Sequence, residues 1–336
     1  MKEKMDIQKL LSLFCLMLLM GACQEDLVLD VNLPEAEEQL VVNSVFSPDS
    51  LFEVYLNNSV ALLGEESPRT ITNATVELLE GDQIIDVLTY DQSLGIFGPF
   101  VGEFNDFAGR SVARYKSDNL MPELGKEYTV RVRAEGFDEV TGSGHVPENV
   151  PIATTEYIPN TISNELGTRG EIRISFDDPA NEVNYYNLRH HYRTIDINTN
   201  YVYSYTSGFN LITPLQDDLF GADPDDLIGG NDTFSASDDG VTFSDALFDG
   251  TRKEIVIDVA DDICGAPSGF PELQCQQVVE LSTVTEAFYN YHRTLQLQNA
   301  ATQNPFAEPV RIKSNMSNDL GVFAGINKSV WIYVQN

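Results

Sequence analysis

From residue 40 onward the chain alternates short apolar runs with turn residues, and the period of each run assigns its element. Leu40 to Phe46, Phe52 to Leu56, Ala74 to Leu79, Ile84 to Tyr90, Ala113 to Lys116 and Glu127 to Ala134 read as strands. The last is the clearest, because Tyr128, Val130, Val132 and Ala134 alternate with Thr129, Arg131 and Arg133, which buries one face and wets the other. Turn residues at Gly81-Asp82 and Leu124-Gly125-Lys126 recur at the spacing of an antiparallel sandwich. Pro147 and Pro151, set among small residues, mark a boundary.

Beyond it the pattern resumes with Glu171 to Phe176, a turn at Asp177-Asp178-Pro179, and a strand from Asn184 to Thr194. That strand places Tyr186, Leu188, His190 and Tyr192 on one side and Asn187, Arg189, His191 and Arg193 on the other, so the adjacent histidines cannot easily share a metal ion. Thr283-Val284-Thr285-Glu286 predicts a capping box that opens a helix near 283–298, with Val284, Ala287, Phe288, Tyr291 and Leu295 on one face. Val310 to Lys313, Gly321 to Ala324 and Val330 to Val334 supply terminal strands. The fold class is therefore mainly β, with a first unit at 40–147 and a larger β-rich unit with one amphipathic helix at 148–336. Leu120-Met121-Pro122 followed by Tyr128 is similar to the approach to the tyrosine-bearing strand of immunoglobulin-like folds, which makes the first unit an immunoglobulin-like β-sandwich.

The residues ahead of this pattern have a different character. Lys2, Lys4 and Lys9 precede an apolar run from Leu10 to Met20 broken only by Ser12, the arrangement of an export signal over 1–22. The run is too short for a permanent span, which needs about 20 apolar residues. It ends in Met20-Gly21-Ala22-Cys23, which resembles the lipobox of bacterial lipoproteins and implies cleavage before Cys23 and acylation of its thiol. Two or three acyl chains, at about 0.8 kcal/mol per buried methylene, hold a protein on a bilayer essentially permanently. Residues 23–39 are acidic, carry Pro34 and lack a period, so they read as a tether.

Charge narrows the partners. The 336-residue chain carries −32, and removal of 1–22, with three lysines against two acids, leaves −33. Such a chain repels nucleic acid and anionic head groups. With Cys15 removed and Cys23 acylated, Cys264 and Cys275 remain free to pair, and a bridge across their Pro- and Gly-containing loop contributes about 3 kcal/mol in the chain-entropy model. Zinc is the rival use of these two cysteines, but there is no histidine in the loop to complete such a site. The segment Gln216 to Asp249 is the most acidic in the chain, and Asp223, Asp225 and Asp226 are its weak calcium candidates. No stretch supplies the spaced acids, central glycine and terminal glutamate of a calcium hand, so no cofactor is assigned.

Catalytic signatures are missing: there is no glycine-framed serine elbow, zinc-binding histidine pair on a helix, phosphate loop or dinucleotide fingerprint. Ser143 within Gly142-Ser143-Gly144-His145 lies on a strand approaching a linker, not on the strained turn that a nucleophile needs. The chain is read as a non-enzyme.

Taken in order, Cys23-Gln24-Glu25-Asp26, Leu40-Val41-Val42-Asn43, Ala74 to Leu78, Leu120 to Val132, Phe176 to Pro179, Asn184-Tyr185-Tyr186, Asn304-Pro305-Phe306, Ser314-Asn315 and Leu320 to Phe323 resemble the Bacteroidota outer-membrane lipoproteins grouped as domain of unknown function 4249. Asn318-Asp319 stands where the family usually has a glycine pair. The resemblance implies that Gln24, Glu25 and Asp26 form the export signal to the outer leaflet, and that the protein is an accessory or binding subunit of a TonB-dependent receptor in nutrient uptake. It brings no catalytic residues. Two other expectations are a surface hydrolase of glycan or protein, resting on the address and the many carboxylates, and an adhesin or structural envelope component.

Overall fold

The computed structural model describes residues 37–60, 68–92, 112–164, 167–207, 210–211, 240–260, 270–302, 307–308 and 310–335. Glu38–Asn336 forms one compact unit. The protein is mainly β, with one helix among the described residues.

The first seven strands are β1 (Leu40–Phe46), β2 (Glu53–Asn58), β3 (Thr75–Glu80), β4 (Gln83–Tyr90), β5 (Ala113–Lys116), β6 (Glu127–Arg133) and β7 (Val140–His145). They follow one hydrogen-bonded path, β1-β2-β5-β4-β3-β6-β7. Its two ends meet at the last strand, β16 (Gly321–Gln335), which pairs in parallel with β1 and bridges toward β7 through Met316 and Gly142. One curled sheet thus supplies both faces of the first core. Inside it Phe46, Phe52, Tyr128 and Phe323 cluster, with ring centroids 4.6 Å apart for Phe46 and Phe323 and 4.9 Å for Phe52 and Tyr128. Each such pair contributes about 0.5–1.5 kcal/mol beyond area burial. The Tyr128 hydroxyl accepts a 2.8 Å hydrogen bond from the Glu123 N–H, locking the turn that leads into β6.

The remaining strands are β8 (Ile152–Asn164), β9 (Gly167–Asp177), β10 (Tyr185–Asp196), β11 (Val202–Ser207), β12 (Asn210–Leu211), β13 (Val241–Ser244), β14 (Arg252–Ala260) and β15 (Leu273–Val284). A four-stranded sheet, β12-β14-β9-β8, faces the β11-β10-β15-β16 end of the 12-stranded sheet, where β13 also pairs with β10. The second core lies between them, built on Phe176, Tyr186, Leu188, Phe243, Ile255 and Leu281. Helix α1 (Glu286–Thr302) covers the outer face, setting Ala287 and Phe288 on Val322, Ala324 and Ile326.

Near the expected boundary at 147/148, Val146 belongs to the first core and Val150 to the second, yet β16 serves both. Its residues 321–325 pair with β1, and 326–335 pair with β15. Backbone proximity at this crossing demands glycine. Gly321 holds φ +94°, and a Cβ there would lie 2.0 Å from the Val42 carbonyl oxygen. A Cβ on Gly325 would lie 1.9 Å from the His145 carbonyl oxygen.

Three expected elements change. Thr283 does not cap the helix: it remains in β15, opposite Tyr186 and Asn327, and its hydroxyl accepts a hydrogen bond from the Val150 N–H. Sheet pairing runs through Val284, so the helix opens at Glu286. Val310 to Lys313 is not a strand, because its N–H groups turn to α1, with Val310 donating to Gln298 and Lys313 to Thr294. Gly321 to Ala324 and Val330 to Val334 are one continuous strand.

Candidate functional site

The connection after β9 and the one after β13 interlock at one end of the second core. Asp178 donates its N–H to the Thr251 carbonyl, and Asp245 donates its own to the Asn184 carbonyl. The crossing brings one carboxylate oxygen from each of Asp178, Asp245 and Asp249 within 4.8 Å of the others. Asp178 and Asp245 are buried and Asp249 is exposed. Asp178 accepts hydrogen bonds from the Tyr186 hydroxyl at 2.5 Å and the Gly250 N–H at 2.8 Å; Asp245 accepts from the Asn184 N–H at 2.7 Å, and Asp249 from the Asn181 N–H at 3.0 Å.

Burial pushes the Asp245 carboxyl above its usual range, opposed by the Asn184 N–H and reinforced by the charges of Asp178 and Asp249. Burial, then the bond to Asp178, drives the Tyr186 phenol far up, so it stays a donor. Oxygens at this spacing can flank a calcium-sized ion, whose oxygen contacts run about 2.3–2.6 Å, although three side chains provide only part of its usual shell. The sequence showed Asp178 as a turn residue and Asp245 and Asp249 as members of an acidic stretch; only the interlocked loops bring them together. Asp223, Asp225 and Asp226 lie outside the described residues.

The adjacent histidines of β10 part as expected. His190 packs edge-on against Tyr192, with centroids 4.7 Å apart. His191 is buried with its pKa lowered to about 3, by desolvation first and then by Arg189, Arg193, His190 and Lys328. On α1, His292 stacks on Phe288 at 4.0 Å, and burial followed by Arg189 lowers its pKa to about 4. Between them and the sheet is a polar layer in which Arg189 approaches Glu280 at 3.6 Å and Asn187 donates to Thr242 at 3.0 Å. It encloses a cavity of about 20 Å³. Neutral imidazoles and a neutralised Arg–Glu pair make this layer a cohesive seam under the helix.

Ser143 is an ordinary strand residue: its hydroxyl meets the Thr129 hydroxyl at 2.8 Å and its carbonyl accepts from Asn315. Asn315 also exchanges two hydrogen bonds with the Phe323 backbone, tying β7 to β16. Ser314 donates to the Gly321 carbonyl and Asn318 to the Leu40 carbonyl. These motif residues of the sequence therefore act as a clamp on the crossing strand. Asp319 holds the turn with φ at +60°.

Cys275 is buried at 1% exposure on β15, opposite Thr194. Cys23, Gln24, Glu25, Asp26 and Cys264 lie outside the described residues.

A search of curated proteins finds no match to the chain. The model of one family matches residues 27–330, nearly the whole sequence, so the chain belongs to the family described as Domain of unknown function (DUF4249).

Proposed function

We propose that this protein is a lipoprotein of the outer membrane, exported by its first 22 residues, acylated at Cys23, and serving as a non-enzymatic binding or accessory subunit of a TonB-dependent receptor in nutrient uptake. The observation that carries the reading is the order of parts: a lipobox, then Gln24-Glu25-Asp26, then a domain of this family from residue 27. Among the described residues no helix is long and apolar enough to cross a membrane.

Affinity purification of the tagged protein from its native outer membrane, followed by mass spectrometry, tests the partnership. A stoichiometric TonB-dependent receptor is expected, and a protein that emerges alone overturns it. Cys23→Ser abolishes labelling by radioactive palmitate; undiminished labelling rejects the anchor. In the same compartment Cys264 and Cys275 form a disulfide, the second cysteine already being buried. Thiol labelling of the unfolded, unreduced mature protein should find neither cysteine.

A further inference from the structure

A groove of about 660 Å³ runs between the N-terminal half of α1 and the segment 310–319. Its size falls within the range of small-molecule sites, about 300–1,000 Å³. The helix contributes Glu286 and Asn290, and the opposite wall contributes Arg311, Lys313 and Asp319. Arg311 and Asp319 neutralise one another at 2.6 Å. Glu286 and Lys313 do not: both are exposed, and among the described residues neither forms an ion pair, with each other or with any other group. Only the Asn290 amide separates them, donating to the Glu286 carboxylate at 3.4 Å and accepting from the Lys313 ammonium at 3.4 Å. Hydrogen bonds of that length are weak and readily displaced.

The groove thus presents one open anion and one open cation, an amide's width apart, on a protein whose charge of −32 disfavours an anionic ligand. A ligand with no net charge and a charged group at each end satisfies both. The full charge of Glu286 outweighs the roughly half charge of the helix N-terminus, so an ammonium is favoured beside it. We propose that this groove binds a short zwitterionic peptide, with its ammonium on Glu286, its carboxylate on Lys313 and its backbone on Asn290. The assignment stands on the groove alone: a protein that purifies without a receptor removes the partnership and leaves the peptide site intact.

The test is calorimetric titration of the purified full-length protein with trialanine, N-acetyl-trialanine and trialanine amide. Trialanine is expected to bind, and each blocked peptide to bind at least about tenfold more weakly, the cost of one lost charge-assisted hydrogen bond. Glu286→Gln should erase the discrimination against the acetylated peptide only, and Lys313→Met that against the amide only. Both side chains are exposed, so thermal unfolding should move little, Glu286→Gln losing only the small favourable interaction of its charge with the helix N-terminus. Equal binding of all three peptides, no saturable binding of trialanine, or discrimination that survives both substitutions overturns the proposal.

Discussion

The sheet formed by β10, β15 and β16 has two faces of opposite chemistry, although the same strands make both. Toward β9 and β14 it presents Tyr186, Leu188, Val279 and Leu281 to an apolar core in which Phe176 and Tyr186 lie 4.9 Å apart. Toward α1 it presents Asn187, Arg189, Glu280 and Ser282 around buried His292. An apolar face gains stability in proportion to the area it hides and tolerates changes of pH. A buried polar face gains less and adds a condition, because each group must keep its partner and its charge state. The inner face therefore sets how stable the sheet is, and the outer face sets when the helix can rest on it.

Substitution on the inner face is expected to have the largest effect. Phe176→Ala removes a fully buried ring and should cost about 3–5 kcal/mol in denaturant unfolding, against a smaller loss for Phe288→Ala on the outer face, where only one end of the helix seam is apolar. Equal losses would erase the distinction between the faces.

The next effect isolates the outer face by pH. His292 falls from an ordinary 6.5 to about 4 and His191 to about 3, so the unfolded chain binds protons that the folded chain refuses. Their contribution is intact above about pH 6.5 and is lost as pH falls toward 4, on the order of 3 kcal/mol for His292. His292→Leu should flatten that acid limb in chemical unfolding followed from pH 7 to pH 4, and an unchanged slope would remove the histidine from the account.

The two smaller effects run in the stabilising direction. Asp245 has its pKa raised, so it is a destabilising charge above that pKa, relieved on protonation as pH falls. Asp245→Asn keeps an acceptor for the Asn184 N–H and should raise stability at pH 7, with the gain vanishing in acid. Asp319→Gly relieves a left-handed backbone that costs an L residue about 1–2 kcal/mol, part of which glycine's greater freedom in the unfolded chain returns, while the exposed ion pair to Arg311 that it deletes contributes little. A lower melting temperature for Asp319→Gly would show that the ion pair outweighs the backbone.

Legibility in the sequence followed the number of faces that water touches. β1 and β5 fall at their expected bounds, and β6 within one residue. β15 escaped because both of its faces are buried, giving Gln276, Gln277, Val278 and Val279 in succession instead of an alternation. β8 escaped because it is a sheet edge rich in threonine and polar residues. β14 carries a plain alternation of Ile255, Ile257 and Val259, the pattern of a strand with one buried face. The helix is legible from its apolar stripe, whereas the capping motif at Thr283 is a local signal that the partners of β15 overrule.

Acidic balance and family membership were determined by the sequence alone, because each is a property of composition or of the order of residues along the chain. Tertiary structure decided the rest. It brought Asp178 beside Asp245 and Asp249, set Lys313 across from Glu286, and ran the last strand through both cores, since each of these depends on segments far apart in sequence meeting in space.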